Sequence, residues 1–308
     1  MEQLKSILEQ QLLSVIPSGT PLFFFDYPIH DNVGDLLIWK GAEEFFRSHR
    51  IKIMARFCDL NIPTLIHIPQ DCLIVCHGGG NFGDLYPTHQ KLREHLIANF
   101  PGHRIVILPQ TIHFENSERL KQAQAIFDQH PDVHLFTRDQ TSADIASRCF
   151  RSTHVYLAPD MAHALWPIRP HGSVDKDCLF LLRTDKETLA EQAGCPTANG
   201  CVKDWRDILS NSDYLLMKYL KSCHKRNKSL RNILPLAAIW RYYANRLIAK
   251  AIKEFSSYDQ FVTSRLHGHL LACLMGKRNR LLDNSYGKNS AYYKTWTHRI
   301  DFVKFKSE

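Results

Sequence analysis

Short unbroken apolar runs alternate along this chain with stretches whose apolar positions recur every three or four residues. Leu4, Ile7, Leu8, Leu12 and Ile16 give the N-terminal segment a helical stripe. Pro21–Tyr27 reads as a first strand, and Leu36–Arg47 as a helix turning Leu37, Ala42, Phe45 and Phe46 inward. Ile51–Phe57 and Cys72–Cys76 read as strands, the second apolar enough to be buried on both faces. HGGGNFGD follows, then a helix from Thr88 to Asn99. Ile105–Leu108 is a strand ended by PQT, Glu118–Gln129 a helix and Val133–Thr137 a strand ended by Arg138-Asp139. Ser142–Arg148 is a helix and Val155–Ala158 a strand ended by Pro159-Asp160. Strands alternating with helices predict crossover units, a mostly parallel sheet and an α/β fold class.

At 308 residues the chain is long for one core, which predicts about two domains. PHGSVDKD, Pro170–Asp177, reads as the hinge, dividing an N-terminal α/β domain (1–169) from a C-terminal one (170–308). The second starts at Cys178–Arg183, is helical and strongly basic over Asp204–Phe255, and returns to strand at Asp259–Thr263 and Arg280–Asp283. A last helix, Ser290–Thr297, is placed to pack back on the N-terminal domain. Hydrophobic residues at 44% and charged residues at 23% describe an ordinary globular composition, while a net charge of +8 favours anionic partners. The nine cysteines form no CxxC pair, and several lie in apolar strands, which predicts reduced thiols and a cytoplasmic location. The N-terminal stripe lacks a signal peptide's apolar core, and no stretch is long enough to span a bilayer.

Ligands of open parallel sheets bind beyond the carboxyl ends of the strands. The residues that follow each strand here are polar and ionisable: Asn32, Gly34 and Asp35; Gly78, Gly79, Gly80, Asn81 and Asp84; Arg138; Asp160 and His163; and, in the second unit, Arg265, His267, Asn284, Ser285 and Lys288. They predict a cleft between the two domains. Its centre is Val262–Gly276, where a strand breaks at Ser264-Arg265 and a helix opens with Leu266-His267-Gly268-His269. Helix-opening amides, an arginine fork and an imidazole suit an anion beside a proton donor. The competing reading makes Arg265 and His267 surface or capping residues. Asp35 could equally be a helix cap, and Arg138 a structural ion-pair partner.

Gly78–Gly83 formally matches a dinucleotide-binding GxGxxG, but no carboxylate ends the next strand and Asp84 would repel a pyrophosphate, so nicotinamide binding is disfavoured. His267-x-His269 has no third ligand at a telling distance, so no metal is expected. The basic segment 218–253, with Lys221, His224, Lys225, Arg226, Lys228, Arg231, Arg241, Arg246 and Lys250 among Ile233, Trp240, Tyr242 and Tyr243, reads mainly as a solvated helix face. A surface resting on anionic lipid at the inner face of the membrane is the functional alternative. No recognition-helix or RNA-stacking motif supports nucleic acid.

Taken together, DYPIHDNVGD, HGGGNFGDLYP, ILPQTIHF, APDMAHAL, TSRLHGHLLACLMGK and DNSYGKNSAYYKTW resemble the polysaccharide pyruvyl transferase family, most closely the bacterial exopolysaccharide enzymes, over nearly the whole chain. The resemblance implies two Rossmann-like parallel-sheet domains in a glycosyltransferase-B-like arrangement, with the active site in the interdomain cleft. It also implies transfer of pyruvate from phosphoenolpyruvate, a co-substrate with no further cofactor, onto two hydroxyls of one sugar. The product is a cyclic ketal, with release of phosphate. Arg265, Leu266 and His267 match the family's donor-binding motif and Arg138 a second donor-site arginine; Arg278-Asn279 departs from the Ile-Pro of many relatives. The parts list agrees: Arg138 and Arg265 as clamps, Asn284, Ser285 and Lys288 around the phosphate, and His267 and Asp35 sharing acid and base work. Asn32, Gly79, Gly80, Asn81, Asp84 and His163 are candidates for the side that takes a glycan acceptor, free or lipid-linked. The rivals are a nucleotide-sugar glycosyltransferase, with Asp283 as its ribose carboxylate, and a non-catalytic subunit of a polysaccharide assembly complex.

Overall fold

The computed structural model describes residues 1–63, 65–185, 187–188, 200–229 and 234–305. Two all-parallel sheets organise it. In the first, β1 (Pro21–Phe25) is flanked by β2 (Lys52–Phe57) and β3 (Leu73–Cys76), followed by β5 (Ile105–His113), β6 (Val133–Thr137) and β7 (His154–Leu157). In the second, the order is β12 (Val303–Phe305), β11 (Arg278–Leu281), β10 (Tyr258–Thr263), β8 (Lys176–Leu181) and β9 (Gly200–Lys203). α1 (Glu2–Leu13) precedes the first strand; parallel neighbours need crossovers, and the helices between strands are α2 (Val33–Ser48), α3 (Pro87–Asn99), α4 (Ser117–Phe127), α5 (Gln140–Cys149), α6 (Trp205–Ile208), α7 (Asn211–Ser229), α8 (Leu236–Ser256), α9 (Leu266–Leu274) and α10 (Lys288–Tyr292). Val75, Val106 and Phe136 of the first sheet and Leu179 and Leu181 of the second belong to one buried apolar cluster that also holds Leu36, Trp240 and Leu270.

The glycine-rich stretch after β3 is a strand rather than a connection. Gly79–Gly83 forms β4, which pairs with the far half of β5 through Gly79↔Gln110 and Gly83↔His113. A side chain at Gly83 would put its Cβ 1.7 Å from the His113 carbonyl oxygen, at a φ of +129°. Only glycine fits there. The expected end of β5 at Leu108 is also corrected: the strand runs through Pro109 to His113, with the register shift between Ile107 and Gln110 absorbing the proline. β9 and β12 carry too little apolar periodicity to have been expected. The last helix starts earlier than its apolar pattern suggested and continues as a π-turn, Tyr293–Thr297. Cys195, Arg231 and Ile233 lie outside the described residues.

Candidate active site

The loop after β1 and the opening of α2 set one wall of a cavity of about 380 Å³ lined by residues from both sheets. Asn32, not Asp35, caps α2, its Oδ1 accepting from the Gly34 amide at 3.0 Å. Its Nδ2 donates to Asp35 Oδ2 at 2.9 Å, and His30 Nε2 lies 3.4 Å from the same oxygen. The Asp35 carboxylate is therefore aimed and held in the cavity wall. Burial alone would raise its pKa, but His30, His267, His77 and Arg138 outweigh it and the pKa falls below the usual carboxylate value.

The ends of β3 and β6 add an imidazole and a guanidinium. Burial pushes His77 down to about 4, so it is neutral, and neither ring nitrogen has a hydrogen-bond partner among the described residues. Arg138 is 1% exposed, donating through Nε to Thr111 Oγ1 at 2.9 Å and through Nη1 to Asp160 Oδ2 at 2.7 Å. Its Nη2 lies against Gly80, where a Cβ would approach to 2.9 Å. Among the described residues Nη2 has no protein acceptor, which leaves one arm of a permanently charged fork for a ligand. Asp26, at a left-handed φ of 71°, pairs with His89 at 2.7 Å on the same wall. Burial lowers the His89 pKa, but Asp26 outweighs it and the net shift is upward.

The second sheet supplies the facing wall. α9 opens at Leu266 without a side-chain cap, so its first amides are available to an anion. His267 Nε2 stands 3.4 Å from Asp160 Oδ2, and its ring packs so tightly on α2 that a Cβ on Gly34 would sit 2.7 Å from Nδ1. Asp160 thus ties Arg138 of β6's end to His267 of α9. Arg265 lies on the cavity too, but its fork is engaged: Nε and Nη2 donate to Asp204 at 2.8 and 2.5 Å, and Nη1 to Asp185 at 2.6 Å. Lys288 donates to Glu187 at 2.8 Å; burial, aided by Arg183 and Arg138, brings its pKa down to about 8 against the opposing pull of Glu187.

Asn32, Asp35, Gly80, Asn81, Arg138, Arg265, Leu266, His267 and Lys288 therefore converge on one cavity. The other candidates stand outside its lining. Gly79 backs it, with its Cβ position 3.2 Å from Ile38 Cδ1 and 3.9 Å from Asp35 Oδ1. The Asp84 carboxylate accepts from the amides of Glu115 and Asn116, which makes it a loop anchor. His163 is buried against Tyr292 Oη at 2.8 Å. Asn284 accepts the Lys288 amide at 2.7 Å and donates to Glu187, and Ser285 hydrogen-bonds the Glu187 carbonyl through its amide. Those two steady Lys288 and its counter-ion from behind.

Sequence reasoning missed His30, His77, His89, Asp26, Arg183, Asp185, Glu187 and Asp204 as cavity residues or their partners. His77 directly follows β3 and Arg183 lies two residues past the end of β8, so the strand-end rule could have found them. Asp204 reads locally only as a helix cap and Glu187 only as a partner of Arg183 four residues before it; their bonds to Arg265 and Lys288 join residues distant in sequence and leave no local signal. His269 is a core residue, with Nδ1 2.5 Å from Asn279 Oδ1 and Nε2 3.0 Å from Thr297 Oγ1. Asp132, His134 and His154 lie close enough for an ion, but both nitrogens of His134 are already bonded, to Asp132 and Tyr156.

Fold and site define an α/β protein of parallel sheets whose strand ends enclose a cavity rich in paired charges. The profile of the polysaccharide pyruvyl transferase family matches residues 32–286, and the chain belongs to that family of transferases. It is 44% identical over 289 residues to EpsO of Bacillus subtilis (strain 168), for which pyruvyl transfer is the conjectured activity; the match covers 94% of this chain and 89% of EpsO. It is 30% identical over 288 residues to Pyruvyl transferase 1 of Schizosaccharomyces pombe (strain 972), covering 88% of this chain and 68% of that one. A crystal structure of a functionally uncharacterized protein of Klebsiella pneumoniae subsp. pneumoniae NTUH-K2044 shares the fold at a TM-score of 0.62 and 21% identity, with both chains fully covered.

Proposed function

We propose that this chain transfers pyruvate from phosphoenolpyruvate to two hydroxyls of one sugar in an exopolysaccharide or its precursor, forming a pyruvate ketal and releasing phosphate. In this reading the cavity is the interdomain cleft of a glycosyltransferase-B-like pair of Rossmann-like domains, residues 1–169 and 170–308. The observation that carries it is the meeting of Arg138's unengaged Nη2, the Lys288 ammonium and His267 with the Asp35 carboxylate in one cavity. A donor with a phosphate and a carboxylate calls for two cationic contacts and a proton donor, and an attacking hydroxyl calls for a base.

A proton delivered to the donor's methylene makes it a methyl group and leaves a cation-like central carbon. The first sugar hydroxyl bonds to that carbon and gives up its proton. The second hydroxyl then bonds to the same carbon, losing its proton as the carbon–oxygen bond to phosphate breaks. His267 protonates the methylene or the departing phosphate, and Asp35, aimed by Asn32, takes a hydroxyl proton. Arg138 and Lys288 grip the donor directly. Arg265 joins them by exchanging Asp185, whose side chain is 39% exposed, while the buried Asp204 keeps its other side in place. Gly80 and Asn81 face the acceptor, and the unpartnered imidazole of His77 offers that sugar a hydrogen bond.

A nucleotide-sugar reading finds less support, since Asp283 Oδ1 already accepts from the amides of Asn284 and Ser290. No helix among the described residues is long and apolar enough to cross a membrane. Exposed Leu215, Tyr219, Ile239 and Tyr242 among the lysines and arginines of α7 and α8 support contact with an anionic inner-membrane face. Incubating purified protein with phosphoenolpyruvate and a panel of glycans tests the main reading. The expected result is phosphate release that depends on the glycan, with a matching gain of a pyruvate ketal. Nucleotide release from a nucleotide-sugar, or no reaction with any donor, overturns it.

A further inference from the structure

Closing a ketal, the reaction proposed above, removes two hydroxyl protons from one sugar, and Asp35 is placed to take one of them. A second proton acceptor is built into the same cavity. Asp26, just past the end of β1, and His89, in the first turn of α3, both line it. His89 Nδ1 stands 2.7 Å from Asp26 Oδ1. An ionised carboxylate only accepts, so the shared proton sits on Nδ1 and the neutral ring carries its lone pair on Nε2. Among the described residues Nε2 has no protein partner.

This pair differs from one that merely holds the fold. His134, which lines no part of the cavity, has one ring nitrogen on Asp132 and the other on Tyr156, and so has nothing left to offer a ligand. Asp26 is 2% exposed and keeps its left-handed φ of 71°, a conformation rare outside glycine and tolerated best by Asn and Asp. Its amide donates to the Phe57 carbonyl at 2.7 Å, and the fully buried Arg93 stands 3.5 Å from its Oδ2 while donating to the Asn81 carbonyl at 3.1 Å. Strained residues held in this way gather where the position of a side chain matters to chemistry. Burial lowers the His89 pKa and Asp26 more than restores it, which strengthens the ring as a proton acceptor. His77, offered to the sugar above, lies within range of the charges of Asp26, Asp35 and His89, so a sugar held there has both proton acceptors around it.

We propose that His89, oriented by Asp26, is the second base of the transfer reaction and takes the proton of the hydroxyl that closes the ketal ring. The inference rests on the transfer reading and divides its two steps between two groups. Asp35 serves the first hydroxyl, whose addition leaves an acyclic adduct with phosphate still attached. In the second step the other hydroxyl oxygen bonds to the same carbon, and its proton passes to His89 Nε2. The bond from that carbon to the phosphate oxygen breaks, and its electron pair leaves with the phosphate. The two hydroxyl protons match the one gained by the methyl group and the one gained by the released phosphate, so no oxidant or further reactant is needed. Asp35 cannot act twice without first losing the proton it took; a second acceptor removes that wait. Asp26 acts only through His89 and is a positioning residue.

Single-turnover reactions of purified protein with phosphoenolpyruvate and an acceptor glycan, quenched and read by mass, test this. The acyclic adduct retains the phosphate and the ketal does not, so the two steps are scored apart. His89→Gln keeps a polar side chain facing Asp26 but cannot take up a proton. It is expected to build up the adduct while ketal formation falls about 10²-fold or more. Ketal formation at the wild-type rate overturns the proposal, and so does loss of adduct and ketal together. Should His89→Gln fail to fold, Asp26→Asn carries the test, because asparagine tolerates the same left-handed backbone. It should stall at the same adduct, with ketal formation about tenfold slower or more. Where both variants fold, the double variant should be no slower than His89→Gln alone, as for two residues acting as one unit; losses that multiply overturn the orienting role of Asp26. Wild type that forms neither species overturns the transfer reading and this inference with it, whereas normal wild-type turnover beside any of the contrary results above overturns the second base alone.

Discussion

Lys288 carries a charge that its surroundings put within reach of ordinary assay pH. Buried in the cavity wall beside Arg183 and Arg138, it titrates at about 8 rather than near 10.5. The folded pKa lies below the unfolded one, so the ammonium is disfavoured by the fold below about pH 8, and this penalty fades as pH rises from 8 through 10.5. For binding, the sign is the opposite: above pH 8 the cation that grips the donor is lost. Donor KM is therefore expected to rise about tenfold per pH unit above that point, as for any interaction that needs the protonated form. Lys288→Arg keeps the charge and should flatten the rise; a profile identical to wild type would exclude Lys288 as the titrating clamp. Asp35→Asn isolates a second role. Asn32 supplies the helix cap, so the variant is expected to melt within about 1 °C of wild type, a shift worth well under 1 kcal/mol. Turnover should nevertheless fall ~10²–10⁴-fold, the usual worth of a general base. The positions of Asp35, Arg138, Arg265 and His267 were legible because they follow strand ends. That Arg265 would be engaged by Asp204 and Asp185 was not, since Asp204 is 61 residues distant and itself reads as an ordinary helix cap.

At the scale of elements, α2 is the piece against which the rest of the site is fitted, and its two glycines make different contacts. Gly41 lies against the backbone of the 3₁₀ turn Met161–Leu165, where a Cβ would come within 2.0 Å of the Met161 carbonyl oxygen. Gly34 lies against the His267 side chain. Gly41→Ala has no flexible neighbour to displace and is expected to destabilise by about 1–3 kcal/mol or more, as overpacking does, read as a lower urea midpoint. Gly34→Ala would put a Cβ 2.7 Å from His267 Nδ1 and 2.9 Å from His267 Cβ, so accommodating it turns the ring away from Asp160 and shifts the opening of α9 as well. It should lose turnover about tenfold or more with the smaller stability change, and an enzyme with full turnover would show that His267 need not hold this position. The helical stripe of α2 was plain in its apolar spacing. The glycine run ending in β4 was not, because its strand character comes from backbone approach to β5 and leaves no alternating side chains to read.

Across the whole molecule, crossover topology was legible from alternation alone, whereas the strand order of each sheet was not, because parallel pairing joins residues far apart in sequence without a local mark. The same holds for the closing contacts. The C-terminal segment leaves the second sheet and returns to the first: Trp296 Nε1 donates to the Arg138 carbonyl at 2.9 Å, the Gln140 amide donates to Thr295 Oγ1 at 3.2 Å, and Tyr286 stacks on His113 at 4.4 Å. The most deeply buried of these links is Tyr292. Its hydroxyl oxygen accepts from the Asp160 amide at 3.1 Å and lies 2.8 Å from His163 Nε2, with the tyrosine fully buried. Tyr292→Phe keeps the ring packing and removes both hydrogen bonds, leaving a buried amide and a buried imidazole nitrogen unsatisfied. Such groups cost about 1–3 kcal/mol each, so a thermal midpoint several degrees lower is expected. Because Asp160 holds both Arg138 and His267, the looser amide should also widen the site, and turnover should fall with the donor KM rising. The two readouts separate the roles of this residue. A variant that melts earlier but turns over normally makes Tyr292 a joint between the halves alone, while loss of both makes the joint part of the site's geometry, since one carboxylate then aligns a guanidinium from one sheet with an imidazole from the other.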